Sequence, residues 1–228
     1  MISEEVLLDY NLTFFQDNNS FKYNLDSVLL AEYVELKKNK KILDMCSGNA
    51  IVPLILLTKE KSLSIDCVEI QKNVCKIAQK NININKFDKE INIINDNLKN
   101  VKNRNCYDIV TCNPPYLKNN NKKGQNKSIN ISKHEIYTNI EEIIKYSKKY
   151  LNPKGTLYII FPTNRITELL YLLQEYTFGV LKITYIITNN DSIDLMLVKA
   201  QKSKKSNTVI DYINVVNVKS YKNIFNNK

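Results

Sequence analysis

Short apolar runs alternate with amphipathic segments along most of the chain. Each run is rich in β-branched residues and ends in a polar residue or a turn, which predicts a buried strand. The segments between them repeat apolar residues at helical spacing, which predicts helices that bury one face. The predicted strands are residues 40–44, 64–69, 91–96, 107–113, 156–161, 180–188 and 193–200, and the predicted helices are 27–36, 51–60, 72–85, 140–151 and 165–176.

The order of these elements predicts a mostly parallel sheet, because strands separated by helices build βαβ units. The last two strands are joined by a connection short enough for a hairpin, so we expect this pair to be antiparallel. Residues 12–24 predict an edge hairpin, and Asp26 is expected to cap the first helix. Residues 208–216 again have a strand pattern, and the polar end of the chain is expected to fray.

The chain is basic, and part of its charge is clustered. Among 228 residues, 33 Lys and Arg stand against 23 Asp and Glu, a formal net charge of +10. A lysine-biased composition would raise the charge everywhere, whereas a polyanionic partner favours clusters. Residues 117–133 contain five lysines and no acid, directly after a predicted strand. We therefore predict that this loop contacts phosphates.

The cysteines and the histidine do not form a metal-site pattern. The five cysteines include no C-x-x-C pair, and His134 is the single histidine, which predicts reduced thiols and no metal. The longest apolar run, residues 51–57, is too short to span a bilayer. We expect a monomeric cytoplasmic protein without a membrane partner.

Four predicted strands end in polar side chains: Asp44, Glu69, Asp96 and Asn113. In a parallel sheet, ligands bind at the carboxyl ends of the strands, so these side chains should converge. Each carboxylate alone could simply close its strand, but their regular recurrence favours a binding site. Glu69 can accept both hydrogens of a ribose diol, and Asp96 with Asn97 can hold an adenine edge.

The turn after the first strand discriminates between nucleoside cofactors. Its one glycine, Gly48, lies between Ser47 and Asn49 and lets the backbone approach a ligand closely. A dinucleotide-binding turn would carry G-x-G-x-x-G to hold a pyrophosphate. S-adenosylmethionine has no phosphate and therefore fits this turn better than NAD.

The strand that ends at Asn113 runs into Pro114, Pro115 and Tyr116. The prolines cannot continue a sheet, and they restrict the preceding backbone, so the Asn113 amide is aimed from the strand end. This amide oxygen and the carbonyl of Pro114 can accept both hydrogens of a planar –NH₂ group, while Tyr116 can stack on its ring. Acceptors placed in this way favour the pyramidal amine whose lone pair faces a methyl donor, without a strong base.

This motif resembles the (Asn/Asp)-Pro-Pro-(Tyr/Phe) motif of class I S-adenosylmethionine-dependent methyltransferases that act on planar amines. Over residues 8–215 the chain is similar to the bacterial tRNA1(Val) adenine-N(6)-methyltransferase family, which modifies the adenine next to the anticodon. The similarity is carried by FKYNLDSVLLAEYV, DMCSGNAIVPLIL, CNPPYLK, SKHEIY and FPTNRITELLYLLQEY, in this order. It implies a Rossmann-like α/β fold with a seven-stranded, mostly parallel sheet and an antiparallel last strand, S-adenosylmethionine as cofactor, and tRNA as partner.

The strand ends and the resemblance together assign roles to residues. Cofactor contacts are expected from Asp26, Asp44, Ser47, Gly48, Asn49, Glu69, Asp96, Asn97 and Asn113. The catalytic pocket is expected from Asn113, Pro114, Pro115 and Tyr116, and RNA contacts from Lys118, Lys122, Lys123, Lys133, His134 and Arg165. Residues 1–36 are expected to form a hairpin and helix over the cofactor, residues 37–200 the methyltransferase core, and residues 201–228 a basic extension.

Three alternatives remain open from the sequence. Cys46 and Ala50 stand where the family usually has glycine, and side chains that crowd the cofactor would suit a non-catalytic RNA-binding relic. Arg165 could equally form an ion pair on a helix surface. The same amine chemistry would serve a protein glutamine, or an amine of ribosomal RNA or DNA. The about 40 residues before the first strand are too few for the helical domain usual in glutamine methyltransferases.

Overall fold

A computed structural model describes residues 2–17, 25–102, 106–115, 138–188, 192–216 and 218–225. Its strands are β1 (Ile2–Leu7), β2 (Leu12–Asp17), β3 (Lys41–Met45), β4 (Ser64–Val68), β5 (Ile91–Ile94), β6 (Tyr107–Cys112), β7 (Leu151–Pro162), β8 (Phe178–Ile187), β9 (Leu195–Lys202) and β10 (Val209–Asn214). Its helices are α1 (Leu25–Tyr33), α2 (Ile51–Lys59), α3 (Lys72–Ile84), α4 (Ile140–Tyr150) and α5 (Ile166–Glu175).

The strands of the described residues form two sheets. β1 and β2 make an antiparallel pair of their own. The other eight form one sheet in the order β10-β8-β9-β7-β6-β3-β4-β5. β9 is antiparallel to both neighbours, and every other pairing is parallel. The mostly parallel α/β fold and the antiparallel last pair, β8 and β9, are therefore confirmed.

The main sheet has one strand more than the seven expected. β10 lies in the predicted basic extension and pairs in parallel with the edge of β8. Ile213 and Val215 are buried there, so the apolar residues of this segment pack into the core. After β10, the chain returns to the core instead of fraying, and its packed side chains are Tyr221, Ile224 and Phe225.

Helices cover both faces of the sheet with separate cores. α1, α2 and α3 bury their apolar side chains on one face, and α4 and α5 bury theirs on the other. The buried run Ile51–Leu57 fills most of α2, which explains why this helix has apolar residues almost all round. With both faces covered, the carboxyl edge of the parallel strands is where polar side chains can gather.

Candidate active site

The parallel register of β3, β4 and β6 brings three predicted strand ends together. Asp44 on β3 is level with Cys67 on β4 and with Thr111 on β6. Glu69 and Asn113 follow directly after the ends of β4 and β6. Asp44, Glu69 and Asn113 therefore lie along one edge of the sheet.

Asp44 is a buried carboxylate in the middle of this edge, only 1% exposed. Its Oδ1 accepts a hydrogen bond from Thr111 Oγ1 at 2.5 Å, whereas Oδ2 is buried without a hydrogen-bond partner in the described residues. Burial, reinforced by the charge of Glu69 and opposed by the Thr111 hydrogen bond, raises the pKa of Asp44 from 3.8 to about 7. An unpaired buried acceptor of this kind fits a cationic ligand group.

The turn after β3 holds three residues in left-handed backbone. The φ angles are 58° at Cys46, 54° at Gly48 and 64° at Ala50. Such a φ costs an ordinary L-residue about 1 kcal/mol, so glycine suits these positions. The Ala50 methyl is fully buried with α1 and α2, and Cys46 packs against the core under α4. Their side chains thus pack into the protein, and the cost of departing from glycine falls on the backbone.

Gly48 and Glu69 are joined through the backbone of the turn. The Gly48 N–H donates to Glu69 Oε2 at 3.1 Å, and the Gln71 N–H donates to Oε1 at 2.9 Å. Burial raises the pKa of Glu69 against the effect of these hydrogen bonds. A Cβ built on Gly48 would meet no atom within 4 Å, so the space beside this backbone is open. These hydrogen bonds fix the Glu69 carboxylate beside the open space at Gly48, where it can accept from a ligand hydroxyl.

Asn81 is a buried residue of the site that the sequence analysis missed. It lies on α3 with no exposed surface, and its Nδ2 donates to the Asn49 carbonyl at 3.0 Å. The same amide exchanges two hydrogen bonds with the backbone of Phe15 on β2, at 2.6 and 3.0 Å. Asn81 therefore connects the turn after β3 to the N-terminal hairpin of β1 and β2. The chain contains many asparagines, so the residue type does not distinguish Asn81. Its position on the apolar face of α3 was the one signal that could have identified it.

Asp96 and Asn97 lie just beyond β5, where they cap a short 3-10 turn. The exposed Asp96 carboxylate accepts from the side chain of Asn100 at 2.7 Å and from the Asn97 N–H at 2.6 Å, and these hydrogen bonds lower its pKa. Asn97 Oδ1 accepts from the Lys99 N–H at 3.0 Å. Their contact with adenine stays a prediction. Asn95, which was not predicted, donates to the Glu69 carbonyl at 2.9 Å and so ties β5 to β4.

Asn113 meets the first helix. Its Nδ2 donates to Ser27 Oγ at 3.1 Å, and Ser27 follows the buried Asp26 at the start of α1. The carboxyl end of β6 and the N-terminus of α1 therefore share this site. Pro114 is buried and Pro115 is half-buried beside them.

The remaining predicted residues divide into two groups. Arg165, after β7, donates to the Glu168 carboxylate at 2.7 and 2.8 Å and lies over the Phe161 ring at 4.9 Å. It thus forms the helix-surface ion pair that the sequence also allowed, and its contact with RNA stays a prediction. Outside the described residues lie Tyr116, Lys118, Lys122, Lys123, Lys133 and His134.

The donor set fits S-adenosylmethionine, the cofactor predicted from the sequence. This molecule combines cationic groups with a ribose diol and an adenine. The orphaned Oδ2 of Asp44 suits a cation, and the fixed carboxylate of Glu69 suits the diol. The open backbone at Gly48 leaves room between them. For a metal, the described residues offer no group of three or more suitable ligands. Nor do they include a helix of the length and apolarity needed to span a membrane.

A mostly parallel sheet with one antiparallel strand, β9, and with acidic residues at its carboxyl edge has the fold of Rossmann-like methyltransferases. The model of the family "Methyltransferase small domain" matches residues 11–184. The chain belongs to this family, and the resemblance seen in the sequence is confirmed.

Curated relatives match about two thirds or more of the chain at low identity. A tRNA1(Val) (adenine(37)-N6)-methyltransferase from Aliivibrio salmonicida is 24% identical over 163 residues, which are 72% of this chain and 69% of the relative. One of the same name from Pseudoalteromonas translucida is 28% identical over 153 residues, 67% of this chain and 65% of the relative.

Solved structures show the same fold. A predicted O-methyltransferase from Agrobacterium tumefaciens superposes with a TM-score of 0.67 at 18% identity, covering 86% of this chain and 90% of that chain. TYW2 from P. horikoshii in complex with MeSAdo gives a TM-score of 0.64 at 12% identity, covering 89% and 72%.

Proposed function

We propose that this methyltransferase transfers a methyl group from S-adenosylmethionine to the N6 amine of an adenine in tRNA. The names of the relatives support tRNA and point to adenine 37 of tRNA1(Val), next to the anticodon. The TYW2 structures, which contain MeSAdo and AdoMet, support the cofactor. A tRNA substrate also accounts for the lysine-rich residues 117–133, and we propose that the protein acts as a monomer in the cytoplasm.

The observation that carries the proposal is the Asn113 amide at the end of β6. Its Nδ2 is engaged by Ser27, so its oxygen is the end of the amide that can accept from a substrate –NH₂. The next carbonyl along the chain, that of Pro114, is the second acceptor. Together they bind the two amine hydrogens and turn the nitrogen lone pair away from the ring system.

S-adenosylmethionine supplies an electrophilic methyl group on a sulfonium. Asp44 would hold a cationic group of this cofactor, and Glu69 would hold its ribose. Asn113 and Pro114 would orient the amine whose nitrogen takes the methyl group from the sulfur, with S-adenosylhomocysteine as the leaving group. The methylated amine would then lose its proton to water, so no residue has to act as a strong base. Tyr116 stacks on the adenine that is turned out of the anticodon loop.

The test is incubation with labelled S-adenosylmethionine and unmodified tRNA, followed by nucleoside analysis. We expect label in N6-methyladenosine from one tRNA species. Label in protein alone would replace the substrate by a glutamine side chain, and label in ribosomal RNA alone would move the function to that RNA. Cofactor binding without any methyl transfer would support the alternative of a non-catalytic RNA-binding protein.

Replacing the target adenine by guanine gives a matched control substrate. A synthetic anticodon stem-loop of tRNA1(Val) should accept label, and the same stem-loop with guanine at the target position should accept none. Equal labelling of both RNAs would refute the assignment of the adenine.

A further inference from the structure

A hydroxyl of the first helix contacts the amide predicted to be catalytic. Ser27 and Asn113 are 86 positions apart, and their side chains meet at 3.1 Å in a half-buried site. An asparagine amide has a donor end and an acceptor end of nearly equal size. A substrate –NH₂ can bind only to the acceptor end, so one of the two amide orientations is unproductive.

We propose that Ser27 is the positioning residue that holds the Asn113 amide at the end of β6 for methyl transfer. This inference rests on the proposed function for its kinetic consequence, but the contact itself can be tested without RNA. The Ser27 oxygen accepts from Asn113 Nδ2, which leaves Oδ1 to face the substrate amine. Ser27 touches neither substrate nor cofactor in this role and acts through Asn113 alone.

Ser27 can position Asn113 only if α1 is held in place. Contacts near the C-terminus of α1, the end away from Ser27, hold this helix. The buried Glu32 of α1 accepts from Tyr10 Oη at 3.0 Å and from the Asn223 N–H at 2.9 Å. Lys59 of α2 lies 3.5 Å from the same carboxylate and donates to the Ala31 carbonyl at 3.0 Å. The hairpin, α2 and the end of the chain thus fix the helix, so Ser27 is presented from a rigid element.

A held amide also explains why the contact acts on the rate more than on binding. An amide that shifts or turns when the contact is lost no longer keeps its acceptor against the substrate amine, where the acceptor matters in the transition state. A neutral hydrogen bond of this kind corresponds to a change of about three- to tenfold in a rate. The loss should therefore fall on kcat, with little change in cofactor affinity.

A double-mutant cycle tests the proposal. Ser27→Ala should lower kcat by about three- to tenfold in the native background and have no further effect in the Asn113→Ala background. Ser27→Thr keeps the hydroxyl and should stay within about twofold of the native protein. Ser147→Ala is the matched control, because the Ser147 hydroxyl bonds to the Ile143 carbonyl at 2.8 Å and to Met45 Sδ at 3.8 Å, and not to the Asn113 amide. An equal loss in both backgrounds, or none in the native one, would overturn the positioning role.

A second measurement separates this inference from the proposed function. In ¹⁵N-labelled protein without RNA, the side-chain NH₂ signals of Asn113 should shift in Ser27→Ala and remain in place in Ser147→Ala. Unshifted Asn113 signals would refute the contact even if tRNA is methylated. A native protein that methylates no tRNA, yet shows the shift, would refute the proposed function and retain the contact.

Discussion

The buried carboxylate of Asp44 makes the stability of the ligand-free protein depend on pH. In the unfolded chain this group ionises near 3.8, whereas in the folded protein it keeps its proton up to about 7. Between these values the folded state binds the additional proton, so stability falls as pH rises and levels off above about 7. At 1.36 kcal/mol for each pH unit, this interval corresponds to a loss of about 4 kcal/mol.

Asp44→Asn removes the titration and keeps an oxygen that can accept from Thr111. We expect urea unfolding from about pH 4 to about pH 8 to show the native protein losing about 4 kcal/mol relative to this variant. Asp96→Asn is the control: it removes an exposed carboxylate from the same edge, whose pKa is lowered instead of raised. A native-to-variant difference that stays flat, or that grows in favour of the native protein as pH rises, would refute the reasoning.

The carboxyl group of Asp44 also couples cofactor binding to the release of a proton. A cationic cofactor favours the ionised form of Asp44, so its affinity should increase as pH rises through about 7. Isothermal titration in two buffers of different ionisation enthalpy should detect proton release near neutral pH in the native protein. A similar release in Asp44→Asn would assign the proton to another group.

Three further substitutions test the structure around the site. Asn81→Ala should cost about 2–3 kcal/mol in urea unfolding, because it leaves buried backbone groups unpaired, whereas Asn83→Ala on the exposed face of α3 should be nearly neutral. Cys46→Gly should stabilise the protein by up to about 1 kcal/mol by relieving its positive φ, and Ser47→Gly, whose φ is not positive, should not. Phe225→Ala should lower the melting temperature, because its ring packs against the core under α1, and an unchanged value would contradict that packing.

The strand ends of the site were predictable because their signals are local. Asp44, Glu69 and Asn113 each follow an apolar run, and a parallel sheet gathers the ends of such runs at one edge. The proline pair after Asn113 adds a stop signal that few other contexts give. Each of these signals lies within a few residues of the side chain that it marks, so no knowledge of distant contacts was needed.

The supporting contacts were not predictable because they join distant segments through common residue types. Ser27 and Asn113 are 86 positions apart, and Asn81 reaches the hairpin 66 positions before it. Serine and asparagine occur throughout this sequence, so neither carries a signal by itself. The position of β10 was unpredictable for the same reason. The sequence predicted a strand there, but no local pattern specifies that this strand pairs with β8.

The most direct test of the account is single-turnover methyl transfer to the anticodon stem-loop by the native protein and by Asn113→Ala. We expect transfer to fall by at least about a hundredfold in the variant while cofactor affinity stays nearly unchanged. Asn152→Ala, which alters an asparagine at the opposite edge of the same sheet, is the matched control and should transfer at the native rate. An Asn113→Ala protein that transfers methyl groups as fast as the native one would contradict the central claim.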